Sequence, residues 1–129
     1  MKKIFTFLFM SILAFSCVQQ ANAMNYEEGL RLSDKKPMAI LIYATWADNY
    51  QNYLNAFRGM QSEFAKDYNF VELDIASPDA KAFNSRYHIY PNLPYALMFR
   101  DGGKFSRYVQ RDCVINDSCF ETRLKSFIN

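Results

Sequence analysis

The 129-residue sequence has three cysteines, Cys17, Cys113 and Cys119, and no two of them form a C-x-x-C. This absence excludes dithiol exchange of the C-x-x-C kind, which needs a low-pKa thiolate with a resolving partner close by. Histidine is almost missing as well. His88 stands alone, with no cysteine or acid around it at metal-ligand spacing, so neither a metal centre nor another cofactor is expected. Glycine and proline number only four each, and no repeat, low-complexity tract or linker follows residue 23. An excess of charge is also lacking. The net +2 belongs to Lys2 and Lys3; beyond them thirteen basic residues balance thirteen acidic ones. A neutral domain leaves no electrostatic footprint for nucleic acid or for an anionic membrane surface.

What is present begins with a targeting pattern. Lys2 and Lys3 precede a run from Ile4 to Phe15 that is apolar apart from Thr6 and Ser11, and Ala21-Asn22-Ala23 supplies small residues for signal peptidase. The run is too short to span a bilayer, which takes about 20 residues. The pattern predicts a signal peptide over 1–23, cleaved after Ala23, and a mature domain over 24–129 in the periplasm or outside the cell. Lipid anchoring at Cys17 is the alternative, against which Phe15 is bulkier than such a site accepts. The 106 residues that remain suit one domain with a core of its own and no membrane span. Cys113 and Cys119 survive cleavage, and an even count in an exported domain favours a disulfide. Closing so short a loop is worth about 2–2.5 kcal/mol.

Along the chain, Tyr26 to Ser33 reads as a short amphipathic helix interrupted by Gly29. Met38 to Tyr43 is a continuous apolar run, the pattern of a strand buried on both faces. Asp48 and Gln51 form a capping-box-like pair, followed by Tyr50, Tyr53, Leu54, Phe57 and Phe64 at helical spacing. Phe70 to Ile75 alternates as a second strand. Ser77-Pro78-Asp79 opens a helix that runs to about Tyr87. Tyr95 to Phe99 and Lys104 to Val109 are strands joined through Asp101-Gly102-Gly103. Ser118 to Glu121 reads as a capping box with Cys119 at the first helical position, where a thiol pKa falls. The cysteine pair therefore offers a second reading, as a thiol–disulfide exchanger. A strand–helix–strand unit makes a parallel pair, the hairpin adds antiparallel strands, and helices cover both faces.

This order, with three local segments, resembles the thioredoxin fold. Lys36-Pro37-Met38 to Trp46 is similar to that family's strand leading into its active-site loop. Leu93-Pro94-Tyr95-Ala96-Leu97-Met98-Phe99 resembles its cis-proline segment, and Phe99-Arg100-Asp101-Gly102 the following hairpin. The resemblance covers residues 30–129 and implies an α/β/α sandwich around a mixed, mainly four-stranded sheet. Pro91 lengthens the loop by a residue, so Pro91 and Pro94 both stand as candidates for the cis proline.

Where the family carries its C-x-x-C, this chain has Ala47-Asp48-Asn49-Tyr50. The buried acid that thioredoxins place six residues before the first cysteine is replaced by Leu41. Nucleophile and proton acceptor are both missing, so the resemblance implies a role without redox catalysis. The expected contact surface comprises Trp46, Ala47, Asp48, Asn49, Tyr50, Leu93, Pro94 and Tyr95, facing an unidentified protein or extended peptide. The plainer readings are that Asp48 caps a helix, that the rings complete a core and that Cys113–Cys119 is a staple. A further plain reading makes Arg100, Arg107 and Arg111 a solvated face interleaved with Asp101 and Asp112. The remaining alternatives are exchange chemistry at Cys113 and Cys119, or a structural envelope lipoprotein.

Overall fold

The computed structural model describes residues 24–129. The expected signal peptide, its cleavage site and Cys17 lie outside the described residues. Helix α1 (Tyr26–Leu32) leads to β1 (Met38–Tyr43), α2 (Tyr50–Phe64), β2 (Asn69–Asp74), α3 (Pro78–Tyr87) and β3 (Tyr95–Arg100). A 3-10 turn (Asp101–Gly103) then joins β4 (Phe105–Val109), followed by α4 (Arg111–Val114) and α5 (Asp117–Ile128). The sheet order is β2-β1-β3-β4, with β1 parallel to β2 and the other pairs antiparallel. This is the mixed four-stranded α/β arrangement expected from the element order. Among the described residues no helix is long and apolar enough to cross a membrane.

Side chains alternate across the sheet and build two cores. Ala39 and Leu41 of β1 meet Ala96 and Met98 of β3 under α2, α4 and α5, through Phe57, Cys113, Phe120 and Leu124. Met38, Ile40 and Ile42 face the other way, with Leu97 and Phe99, under Leu30 of α1 and Phe83 of α3. Gly29 has a packing reason: a Cβ there would collide with Met38 Sδ, so α1 lies close on the sheet only because the residue is glycine. Tyr68, between α2 and β2, ties the first core together. Its buried hydroxyl donates to the Leu124 carbonyl at 2.6 Å.

Several local expectations need correction. Asp48 does not cap α2. Asn49 occupies the N-cap position in left-handed backbone (φ 60°) without a side-chain bond. Successive turns, Ala47 N–H to the Ala44 carbonyl, Tyr50 N–H to the Ala47 carbonyl and Asn52 N–H to the Asn49 carbonyl, carry the chain into the helix, so backbone carbonyls serve the Tyr50 and Asn52 amides. Ser118 is not a cap either. Asn116 accepts from the Cys119 N–H at 3.0 Å, starting α5 at Asp117 and moving Cys119 from the first to the third helical position. Helix α4 was not expected at all.

Arg107 is exposed, as a solvated face requires, while Arg100 and Arg111 are half-buried, and all three lie against rings. Arg100 donates to the Phe127 carbonyl at 2.8 Å and lies 5.1 Å from both the Phe105 and Phe127 rings. Arg107 lies 5.9 Å from the Phe127 ring, and Arg111 stacks on Tyr53 and donates to its hydroxyl. Their partners are rings rather than the interleaved acids, and the Arg100–Asp101 approach is a loose 3.9 Å.

The Cys113–Cys119 disulfide forms, with Cα atoms 5.2 Å apart, and joins α4 to the start of α5. Replacing both cysteines by serine is expected to cost about 2 kcal/mol in denaturant unfolding while the fold persists. A double variant as stable as the parent would refute the staple role.

Burial pushes the Tyr68 phenol well above its ordinary value. An unfolded phenol ionises near pH 10 or so while the folded one keeps its proton, so stability is intact below that pH and falls as pH rises beyond it. Tyr68→Phe should lose about 0.5–1.5 kcal/mol at neutral pH and show a shallower alkaline loss. Equal alkaline slopes for parent and variant, measured by urea unfolding across pH 9–11, would contradict this assignment.

Candidate functional site

The site is placed by strand register. Ile42 of β1 pairs with Tyr95 of β3, so the segment leaving β1 (residues 44–49) and the segment entering β3 (residues 91–94) emerge at the same end of the sheet. Ala44, Ala47 and Leu93 share one apolar cluster with Tyr95, and Tyr50 packs against it. The Leu93–Pro94 peptide bond is cis, which resolves the choice between the two prolines. Pro91 instead sits in a turn whose carbonyl accepts from the Leu93 N–H at 2.9 Å.

The eight expected residues are brought together but are not equally accessible. Trp46 is 71% exposed, and Asp48 and Asn49 are exposed beside it. Tyr50 is half-buried, stacked on Tyr43 with ring centroids 6.0 Å apart. Ala47, Leu93 and Pro94 are buried and act as the floor. Tyr95, expected at the surface, is wholly buried. Its hydroxyl accepts from the Tyr90 N–H at 3.1 Å and so holds the proline loop from beneath.

The structure adds Tyr108, which the sequence reading passed over, to the tyrosines that flank the proline loop. Tyr90, Tyr95 and Tyr108 form a cluster with ring centroids 5.1–5.6 Å apart, and the Tyr90 and Tyr108 rings stand at 89°. Tyr90 and Tyr108 wall a shallow cavity of about 440 Å³ with Pro91 and Asn92. His88 packs edge-on against Tyr90 at 5.8 Å. Burial raises the Tyr95 phenol, partly offset by the Tyr90 hydrogen bond, and burial followed by Tyr90 raises that of Tyr108. Both are therefore neutral hydroxyls near pH 7. The period-2 alternation of β4 was the signal for Tyr108, because its register partner Leu97 lies on the same sheet face as Tyr95. Arg111 had no such signal, since its place on Tyr53 depends on helix α4.

Chemically, this end of the molecule offers an exposed indole, a tyrosine corner, and exposed carboxylate and amide groups at Asp48 and Asn49. The cysteine pair follows the end of β4, whose Val109 pairs with Ala96 beside Tyr95. Cys113 is buried in the core beside Tyr53, Leu54 and Phe57, and Cys119 is half-buried against it, so an incoming thiolate has poor access to either sulfur.

No family model matches the sequence, and no curated protein matches it. Solved structures do. Malassezia sympodialis thioredoxin (Mala s 13) superposes with a TM-score of 0.63 at 16% identity, over 79% of this chain and 84% of that one. Fasciola hepatica thioredoxin gives 0.62 at 12% identity, over 78% and 88%. The structure described as that of a malarial protein gives 0.59 at 10% identity, covering 74% of this chain and all of that one. Likeness at such identities establishes architecture and not activity. The chain has a thioredoxin-like fold.

Proposed function

We propose that the mature chain is an exported, non-catalytic thioredoxin-fold domain that binds a protein or extended peptide at the Trp46 end of the sheet. The observation that carries this reading is the exposure of Trp46. The only tryptophan in the sequence projects into solvent beside a cis-proline loop, whereas the surrounding apolar residues are packed. A large ring left exposed next to packed neighbours is the usual form of an interface anchor, because it has few rotatable bonds to immobilise. Tyr50 and Asn49 border it, and Leu93-Pro94 sets the floor. Export is supported by the n-region, apolar run and Ala21-Asn22-Ala23 pattern, and an intramolecular disulfide is consistent with an oxidising compartment.

The absence of sulfur at Ala47 and Tyr50 and the burial of Cys113 lead to one expectation. The protein should show no turnover in a disulfide-reduction assay with a thiol-reductant supply. Turnover that vanishes in Cys113→Ser or Cys119→Ser would overturn the non-catalytic reading.

Because Trp46 is solvated, Trp46→Ala should change stability by no more than about 0.5 kcal/mol. The same substitution should abolish recovery of the native partner from envelope extracts. Intrinsic fluorescence provides an internal check, since Trp46 is the sole indole. Its emission should lie at the wavelength of a water-exposed ring and move to the blue when the partner binds. Partner recovery undiminished in a stably folded Trp46→Ala protein would remove this face from consideration.

A further inference from the structure

We infer that the free edge of β4 is a second docking surface, built to receive an extended peptide strand in which acidic and apolar residues alternate. This surface adjoins the Trp46 face at the tyrosine corner but does not include Trp46, and it stands whether or not that face binds. β4 is the terminal strand of the sheet, and among the described residues no turn, loop or side-chain hydrogen bond reaches the backbone of Phe105–Val109. Every second residue therefore presents an unpaired N–H and C=O outward, the template for adding a strand.

Edges of this kind are ordinarily guarded by charge, shortness or a covering element. Here charge is present, but so are exposed rings on both faces. Phe105 is 52% exposed and Tyr108 is 38% exposed. The two faces of the edge differ. On one, Arg107 lies 5.9 Å from the Phe127 ring, with Phe105 alongside and the Arg100 guanidinium 5.1 Å from both rings. On the other, Tyr108 forms the corner with Tyr90 and Pro91, at the mouth of the shallow cavity.

The choice of partner follows from charge. From Lys104 to Arg111 the chain carries Lys104, Arg107 and Arg111 and no acid, and neither Lys104 nor Arg107 is in a salt bridge among the described residues. An added strand alternates its side chains between faces. Residues on the Arg107 side should be acidic, where opposite charges across a ladder are favourable. Residues on the Tyr108 side should be apolar or aromatic, where they can seat against the tyrosine corner. A second copy of this chain fits poorly. The only antiparallel self-pairing that uses all five residues of β4 sets Arg107 directly opposite its own copy, and like charges so placed repel.

The probe is a blocked eight-residue peptide alternating glutamate with valine and one central tyrosine, titrated at low salt into the isotope-labelled exported protein. Nuclear magnetic resonance should show slowed amide exchange over Phe105–Val109 and shifted Tyr108 signals. Binding should weaken roughly tenfold or more when lysine replaces glutamate in the peptide. The Lys104→Glu, Arg107→Glu double variant should reverse that preference and bind the lysine peptide better, a gain that misfolding cannot produce. The inference is overturned by equal binding of both peptides or by no binding up to about 1 mM. It is equally overturned by protection confined to the Trp46 and Leu93–Pro94 loops, or by concentration-dependent protection of β4 without peptide.

Discussion

The structure depends on one strand. Met38 to Ile42 of β1 has no solvent-accessible surface, lies hydrogen-bonded between β2 and β3, and supplies both cores through alternate side chains. Met38, Ile40 and Ile42 organise the side covered by α1 and α3, and Ala39 and Leu41 the side covered by α2 and α5. Burying each of its larger side chains contributes about 1.5–3 kcal/mol, so this strand alone accounts for much of the margin that holds a small domain together. Its position also places the candidate site. The register that pairs Ile42 with Tyr95 delivers the Trp46 loop and the Leu93–Pro94 loop to the same end of the sheet.

At that end of the sheet lies the N-terminus of α2. In this chain the N-terminus of α2 is handled by backbone. The Ala47 and Asn49 carbonyls accept from the Tyr50 and Asn52 amides, and Asn49 takes the left-handed conformation that asparagine tolerates better than most residues. The first turn of α2 contains no acid. Leu41 of β1 is sealed in the core. What remains is a shaped surface: an exposed indole above a packed floor, with a tyrosine corner along one side. The disulfide joins the two helices that follow β4.

The strands were readable because burial writes itself into composition. The six apolar residues from Met38 to Tyr43 matched β1 to the residue, and Tyr95 was the right start for β3. The resemblance narrowed the cis bond to Pro91 or Pro94, and the structure places it at Leu93–Pro94. Helix termini were less legible. Asp48 and Ser118 had the right chemistry for caps, but competing bonds from Ala47 and Asn116 decided where the helices begin. Tertiary partners were not legible at all. Nothing near Tyr95 in sequence announces that its hydroxyl will hold the Tyr90 amide, and nothing near Arg100, Arg107 or Arg111 announces that aromatic rings will receive them. Those contacts exist only once the sheet and α5 are in place.

The account stands on Trp46 being displayed for recognition and not left over from a lost active site. Site-specific photocrosslinking tests this most directly: a photoreactive amino acid is placed at position 46, or at exposed Lys81 on α3 as a control, in the cells that make the protein. The account predicts a discrete protein or peptide adduct from position 46 and none from position 81. The absence of any adduct at position 46, or the same adducts from both positions, would contradict it.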